Sequence, residues 1–310
     1  SRLSNVDGLQ TNALFGFTIM LIKLLRDLDA LYLAVTFDTG EPTFRHELYS
    51  EYKANRGECP EDLVPQMPYF RKIVEALGLA SLEKVGFEAD DIIATLAKRF
   101  EKEVDRVVIV SGDKDLTQLV NKKVQVWDAM RDIEYNEKTV EDKFGVKPSQ
   151  ILDYLSICGD SSDNIPGVKG IGPKGAQSLL ENFDSVDGIL ENLDQIASIK
   201  GLRGAKSLKA KIESEEEMLR LSKQLVSLDT KVQPFSEVES VEKYHWKEPD
   251  RDLLEPLFEE LGFESMLEGA LRQAVRSPKA EKNYQLVSKN NFKNFLKKLS
   301  SQKEFAFDTE

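Results

Sequence analysis

Two short apolar runs rich in β-branched residues each lead into an aspartate, and this pattern strongly constrains the fold. LAVTFD ends at Asp38, and VVIVSGD ends at Asp113. Between them, apolar residues recur with helical spacing from about Pro60 to Gly78 and again from Glu88 onwards. Strands that alternate with helices predict an α/β fold, in which a mostly parallel sheet is covered by helices.

Acidic side chains recur where these elements begin or end. Because ligands in open α/β sheets bind at the carboxyl ends of the strands, we expect the acids there to converge. Asp113 and Asp115 are two residues apart, which puts them on one side of an extended chain. Glu88 and Asp91 are three apart and share a helix face. The whole set of acids in such positions is Asp38, Glu88, Asp90, Asp91, Asp113, Asp115, Asp160 and Asp163.

Converging carboxylates repel one another unless cations lie between them, and hard divalent ions prefer oxygen ligands. We therefore predict a magnesium-dependent phosphate chemistry. A simpler interpretation stays open for each acid alone, because the chain contains 54 Asp and Glu residues and most of them are expected to be solvated. Glu88, Asp90 and Asp91 could simply favour the positive end of a helix that begins near Glu88.

Charge and cysteine content argue against several classes of protein. A formal net charge of -12 argues against indiscriminate nucleic-acid binding, with local patches deciding the point. Cys59 and Cys158 lie far apart, and only His46 and His245 are present, so neither a disulfide framework nor a zinc site is expected. Since no apolar stretch approaches the roughly 18 residues needed to span a bilayer, we predict no membrane contact and a cytoplasmic location.

The chain divides into four predicted parts. An α/β core at 1–145 precedes a helical region at 146–266, because strand-like runs stop after Phe144. Residues 267–283 lose the apolar period and are predicted to be a linker. At 284–310 a new α/β pattern begins and ends in mid-motif at EFAFDTE, so we expect the chain to be a fragment of a longer protein.

The segment from Phe44 to Leu63 interleaves aromatic residues with the cations Arg45, Lys53 and Arg56. We expect this segment to be a mobile connection. Its cations would bind the phosphates of a single strand, and its aromatic rings would stack on the bases. A solvated loop with ordinary charges is the alternative. Its position directly after the first strand favours the nucleic-acid interpretation.

GVKGIGPKGA indicates a second nucleic-acid contact. Its glycines let the backbone approach a phosphate, and the helix that follows offers free N–H groups. Pro173 suits the first position of that helix. Two short helices around such a turn form a helix-hairpin-helix type of element, which holds the duplex backbone without reading bases. The predicted contacts are Gly167, Lys169, Gly170, Gly172, Lys174 and Gly175.

Four segments together resemble the 5′-nuclease (5′→3′ exonuclease) domain of bacterial DNA polymerase I, within the flap-endonuclease superfamily. They are FDTGEPTFRHELYSEYKANR, FEADDIIATLAKR, VVIVSGDKDLTQLV and LSICGDSSDNIPGVKGIGPKGA. The resemblance covers about residues 1–265 and implies a PIN-like nuclease fold with a helix-three-turn-helix. It implies a metal-dependent nuclease that cuts 5′ flaps and RNA primers in replication and repair, as part of a DNA polymerase.

The resemblance also implies roles for individual residues. The eight acids would surround two divalent cations, Mg²⁺ or Mn²⁺, and the glycine turn would hold DNA, with K⁺ as a further ion. Lys53 and Arg56 match catalytic cations of a helical arch at about 44–63, with Arg45 at its base. Asp308 and Glu310 would be the first metal-binding motif of a 3′→5′ exonuclease domain. The implied partner is DNA with a 5′ flap, nick or RNA primer, and the implied protein is a monomer of the bacterial nucleoid.

Two departures from the family pattern leave a rival hypothesis open. The family opens with a strand that carries a further metal-binding Asp, and this segment is absent from the chain. Where the family commonly has a hydroxyl residue in the glycine turn, the chain has Gly175. The rival is a structure-specific DNA-binding module whose nuclease centre is incomplete and inactive.

Overall fold

The computed structural model describes residues 3–28, 30–199 and 204–274. Within them, β1 (Ala34–Thr36) and β2 (Ala80–Leu82) pair in parallel. β3 (Val107–Val110) and β4 (Val124–Asp128) also pair in parallel, and β5 (Ile133–Tyr135) joins β4 antiparallel. The predicted α/β class with mostly parallel strands is confirmed, but the described strands form two small sheets instead of one.

Helices cover the strands, and one of them contacts both sheets. This helix, α4, begins after Glu88 and packs on β1 and β3. Its apolar positions Ile92 and Phe100 are buried, because they recur on one helix face. The helices of this half are α1 (Asn12–Asp27), α2 (Phe44–Leu48), α3 (Met67–Ala76), α4 (Ala89–Phe100) and α5 (Glu137–Phe144).

The second half is helical. A single apolar cluster extends from Ile109 of β3 and Val126 of β4 to Leu155, Leu179 and Leu219 on three helices. The helical half therefore packs directly on the larger sheet. Its helices are α6 (Ile151–Cys158), α7 (Pro173–Phe183), α8 (Val186–Glu191), α9 (Leu193–Ile196), α10 (Ala205–Ser214), α11 (Glu216–Val226), α12 (Arg251–Leu261) and α13 (Glu264–Ala274).

The last two helices return to the first part of the chain. Phe258 of α12 and Phe263 pack with Leu14 of α1 in a second apolar cluster. Ala270 is buried in the same cluster, so α13 presents a regular apolar face. For this reason the helix continues to Ala274, inside the segment 267–283 that was predicted to be a linker.

Other elements differ in detail from the sequence predictions. Neither the short helix α2 nor the strand β5 was predicted. The helix predicted from Pro60 to Gly78 starts later, with a 3₁₀ turn at Val64–Gln66 that leads into α3. Asp308 and Glu310 lie outside the described residues. None of the described helices combines the length and the apolar character that a membrane span requires.

Candidate metal centre and nucleic-acid surface

Two of the acids cap the start of α4. Glu88 is the N-cap, and its side chain and that of Asp91 form a capping box with the first-turn N–H groups. Nearby, the Ala89 N–H donates to Asp38 Oδ1 over 2.8 Å. The first turn of a helix has unpaired N–H groups and a partial positive charge, so it collects these carboxylates. They lie together because α4 starts beside the end of β1.

Three further acids converge on one point. Asp115, Asp160 and Asp163 each offer a carboxylate oxygen, and these oxygens lie within 4.8 Å of one another. Asp115 opens a 3₁₀ turn after β3, and its N–H donates to Asp113 Oδ1 over 2.9 Å. Asp160 and Asp163 lie in the loop after α6, which is closed by reciprocal backbone hydrogen bonds between Asp160 and Ile165 of 2.8 and 2.7 Å.

The chemistry of this group fits a hard divalent cation. Asp115 is only 8% exposed, and its Oδ1 has no hydrogen-bond partner among the described residues. Burial, followed by the charge of Asp113, raises the pKa of Asp115 to about 8. An unpaired buried carboxylate oxygen beside two more carboxylates is costly on its own and favourable beside a cation. All the donors are oxygens, which suits Mg²⁺ or Mn²⁺.

A second set of acids interacts electrostatically around Asp90. Burial, and then the charges of Asp113, Glu88 and Asp38, raise the pKa of Asp90 to about 7. Asp113 acts on both Asp90 and Asp115, so it lies between the two sets. Elevated carboxylate pKa values of this kind mark a place where negative charge is concentrated.

Side-chain cations from the predicted arch contact the same carboxylates. Lys53 Nζ lies 2.6 Å from Glu88 Oε1 and 3.6 Å from Asp163 Oδ2, and Arg56 forms an ion pair with Asp163. The Lys53 N–H also donates to the Asp163 carbonyl over 2.9 Å. Lys114 also pairs with Asp160. The arch residues 50–56 thus form turns fixed to the centre, where a mobile connection was expected.

Tyr52 belongs to this centre, although the sequence analysis did not select it. Its side chain is 3% exposed, and its hydroxyl lies 3.1 Å from Glu88 Oε2 and 3.3 Å from Asp163 Oδ2. Burial, and then the charges of these two acids, raise the pKa of Tyr52. The phenol stays protonated and can donate to one of the two carboxylates. Its position directly before Lys53 was the only indication in the sequence.

Arg45 and Asp91 form a buried pair beside these sets, and Arg45 also lies 3.7 Å from Glu88 Oε2. Two parallel hydrogen bonds of 2.7 and 2.8 Å join the guanidinium to the carboxylate, and Arg45 is 1% exposed. Asp91 also accepts from the N–H groups of Glu88 and Asp229. Its oxygens are therefore fully engaged within the protein. This arrangement favours a structural role for both residues.

The predicted glycine turn lies between α6 and α7. Gly167 has a φ of 62°, and a Cβ there would lie 2.3 Å from Gly159 N, so no other residue fits without movement. Gly170 also has a positive φ, and its carbonyl accepts from Lys211 Nζ over 3.0 Å. Gly172 is the N-cap of α7, which begins at Pro173 as the sequence indicated.

The two sides of the turn differ in character. Val168 and Ile171 point into the apolar core, whereas Lys169 and Lys174 are exposed. Gly175 lies on α7 with little free space, since a Cβ would lie 3.0 Å from Ile171 Cγ2. The turn therefore presents two cations and exposed backbone on one surface, which is the composition of a phosphate-binding surface.

An α/β domain with an acidic centre, followed by a helical region, is the arrangement of nuclease domains that act with metal ions. Comparisons with known proteins agree with this class. Residues 1–145 match the family model described as "5'-3' exonuclease, N-terminal resolvase-like domain". Residues 146–252 match "5'-3' exonuclease, C-terminal SAM fold". The chain belongs to the 5′-3′ exonuclease family.

Similar proteins include a 5′-3′ exonuclease of Aquifex aeolicus (strain VF5), which is 38% identical over 86% of this chain and 87% of its own length. DNA polymerase I of Bacillus subtilis (strain 168) is 39% identical over 93% of the chain, which spans 32% of that polymerase. The structure of the T5 D15 protein co-crystallised with metal ions aligns with a TM-score of 0.61 and 26% identity, over 78% of this chain and 91% of that one.

Proposed function

We propose that this protein is a metal-dependent, structure-specific 5′ nuclease that hydrolyses phosphodiester bonds at 5′ flaps and RNA primers. One observation carries the proposal. Oxygens of Asp115, Asp160 and Asp163 lie within 4.8 Å of one another, and within the described part of the chain the buried Asp115 Oδ1 lacks a hydrogen-bond partner. Carboxylates this close together are stabilised when a cation binds between them. Because the chain belongs to the 5′-3′ exonuclease family, the proposed substrate at that cation is a phosphodiester.

The proposed cofactor is a pair of divalent cations, Mg²⁺ or Mn²⁺. Asp115, Asp160 and Asp163 would hold one of them. The second set, Asp38, Glu88, Asp90 and Asp113, would hold the other. When bound, such ions polarise a phosphoryl oxygen and lower the pKa of a bound water. Asp91 is the least suited of the eight acids, because Arg45 and two backbone N–H groups engage its oxygens.

The chain's own cations complete the proposed active site. Lys53 and Arg56 lie at the carboxylates and can offset negative charge that develops on a phosphate held there. The Tyr52 hydroxyl restrains Glu88 and Asp163 and so fixes two acids of the centre. Arg45 would act from beneath, by holding α4 in place through Asp91.

The proposed substrate is DNA with a 5′ flap, nick or RNA primer. Lys169 and Lys174, with the backbone of the glycine turn, would hold the duplex by its phosphates without reading the sequence. K⁺ is the proposed further ion at this turn, where it would compete with Lys211 Nζ for the Gly170 carbonyl. The arch at about 44–63 would receive the single strand above the centre.

The proposed setting follows the relatives. The protein would act as a monomer on the nucleoid in a bacterial cytoplasm, as part of a DNA polymerase I. Residues 1–145 would carry the catalytic core and 146–266 the duplex contacts. Residues 284–310 would begin a 3′→5′ exonuclease domain, with Asp308 and Glu310 in its metal site.

A labelled 5′-flap duplex tests the proposal. The protein is incubated with it in Mg²⁺ and in EDTA, beside an Asp115→Asn variant that removes one charge at the centre. We expect metal-dependent cleavage by the parent and little cleavage by the variant, with similar binding by both. Retardation of the duplex on a gel without cleavage would instead support the rival, a DNA-binding module with an inactive centre.

A further inference from the structure

Helix α11 joins the glycine turn to the elements that carry the acids. Ser222, in the middle of the helix, is fully buried, and its hydroxyl accepts a hydrogen bond of 3.1 Å from the Gly167 N–H. Gly167 has a left-handed backbone pressed against Gly159, so it can hardly move relative to its neighbours. This bond therefore fixes the turn to one point on α11.

The C-terminal end of α11 is attached to the other side of the proposed active site. The last carbonyls of a helix lack partners within the helix and need other donors. Arg45 donates to the carbonyls of Leu225 and Ser227 over 2.8 and 2.7 Å. Gln118 Nε2 donates to the Val226 carbonyl over 3.3 Å.

These two donors connect α11 with the two elements that hold the carboxylates. Arg45 is paired with Asp91 in the first turn of α4. Gln118 lies in the 3₁₀ turn that Asp115 opens. The end of α11 is thus hydrogen-bonded directly to the 3₁₀ turn of Asp115 and, through Arg45 of α2, indirectly to α4, while its middle holds the glycine turn.

A third contact limits rotation of the helix. Lys223 Nζ lies 3.1 Å from Asp153 of α6 and 2.7 Å from Asp187 of α8. Because α6 leads directly into the loop of Asp160, the ion pair fixes α11 beside that loop as well. Since an α-helix rises 1.5 Å per residue, the four steps from Ser222 to Val226 span about 6 Å of rigid backbone.

We propose that α11 is a spacer that determines which phosphodiester is cut, and that Ser222 and Gln118 are positioning residues for it. The inference rests on the proposed nuclease function. A duplex held at the glycine turn would present its phosphates to the centre at a distance set by α11. Neighbouring phosphates of one duplex strand are spaced about 3.4 Å along the helix axis, so a looser spacer would admit the adjacent bond.

The test uses the full chain with Ser222→Ala, Gln118→Ala and the double variant. A 5′-flap duplex is cleaved in Mg²⁺, and product lengths are resolved to single nucleotides. We expect a dominant product from the parent. In each single variant, the fraction of product cut at a neighbouring phosphodiester should rise roughly fivefold, because this is the ratio that loss of one hydrogen bond allows. Duplex affinity should stay within about twofold of the parent's.

Ser156→Ala is the matched control. Ser156 is also fully buried, but among the described residues its hydroxyl bonds only to the Leu152 carbonyl of its own helix, so the product pattern of the variant should stay that of the parent. Gln118 is half-buried, so Gln118→Ala keeps the test available if Ser222→Ala does not fold. A single sharp product from folded Gln118→Ala would overturn the spacer role alone. Absence of cleavage by the parent would overturn the nuclease function itself, and the inference with it.

Discussion

The Lys114 ammonium lies 2.6 Å from Asp160 Oδ2, at the edge of the three-carboxylate group. The Lys114 side chain is 33% exposed, so it can leave this position for solvent without disturbing the core. Asp115, in the same group, keeps an oxygen without a partner. A divalent ion held by this group would therefore compete with Lys114 for Asp160.

Replacing Lys114 by Met should raise the affinity for Mn²⁺. The variant loses the competing charge, and because the lysine is partly exposed the gain is expected to be roughly three- to tenfold. Isothermal titration of the protein with Mn²⁺ measures it directly, without DNA or turnover. Lys98→Met is the control, since Lys98 pairs with Glu101 on α4 away from the acids. Unchanged or weaker Mn²⁺ binding by Lys114→Met would show that the ion pair does not compete with the metal.

Much of the centre could be predicted because its acids follow local rules. Asp38 and Asp113 follow strands, and parallel strands bring such positions to one edge of a sheet. Gly167 and Pro173 have backbone requirements that are visible in the sequence, and the structure places both as predicted. Local chemistry was sufficient at these positions.

The remaining features depend on residues that are distant in sequence. Glu88 and Asp91 have the spacing of two ligands on one helix face, but the same spacing forms a capping box. Arg45, itself fixed by the Leu225 carbonyl, engages both oxygens of Asp91. No local pattern in the sequence could reveal that pairing. The same holds for the Tyr52 hydroxyl, whose partners come from two other elements.

Asp113→Asn should abolish most cleavage and leave flap binding nearly intact. The amide keeps the Oδ1 acceptor that the Asp115 N–H uses, so the turn is preserved while one charge is lost. We expect the rate to fall by about a hundredfold or more and affinity to change by less than about threefold. Asp105→Asn, at an exposed position on the surface, is the matched control. Cleavage by Asp113→Asn at the parental rate in saturating Mg²⁺ would rule out a role at the metals.

Stability in EDTA should fall as the pH rises. Asp115 and Asp90 have pKa values of about 8 and about 7 in the folded protein, against about 4 when unfolded. The folded state therefore binds more protons between about pH 4 and pH 8, and stability decreases with pH across that window. Urea unfolding at pH 5, 6.5 and 8 measures this decrease. Asp115→Asn should make this decrease of stability with pH smaller. If the stability of the variant depended on pH as much as that of the parent, the decrease would not come from Asp115.

Lys169→Ala combined with Lys174→Ala should weaken duplex binding and its dependence on salt. If each exposed lysine neutralises one phosphate, the slope of log affinity against log salt should become shallower by about two contacts. Fluorescence anisotropy at several salt concentrations gives the slope. Lys53→Ala should change affinity much less than turnover, because Lys53 contacts the carboxylates. Equal effects of the two changes on affinity would contradict the assignment of duplex binding to Lys169 and Lys174 and of turnover to Lys53.

The buried pair of Arg45 and Asp91 should contribute more to stability than any exposed ion pair of the chain. Arg45→Met leaves the Asp91 carboxylate buried and without its main partner, and two backbone carbonyls lose a donor. Breaking a buried pair in this way typically costs about 3–5 kcal/mol. Urea unfolding of the variant should show a loss of this size. The exposed pair of Arg251 and Glu255 is the comparison, and Arg251→Met should cost less than about 1 kcal/mol.

The double variant Arg45→Met with Asp91→Leu separates lost charge pairing from lost packing. It removes the stranded carboxylate, so part of the stability lost in Arg45→Met should return. The recovery should be incomplete, because the carbonyls of Leu225 and Ser227 still lack their donor. If Arg45→Met alone lost less than about 1 kcal/mol, or if the double variant were the less stable of the two, the pair would not be the anchor of α4 that its geometry indicates.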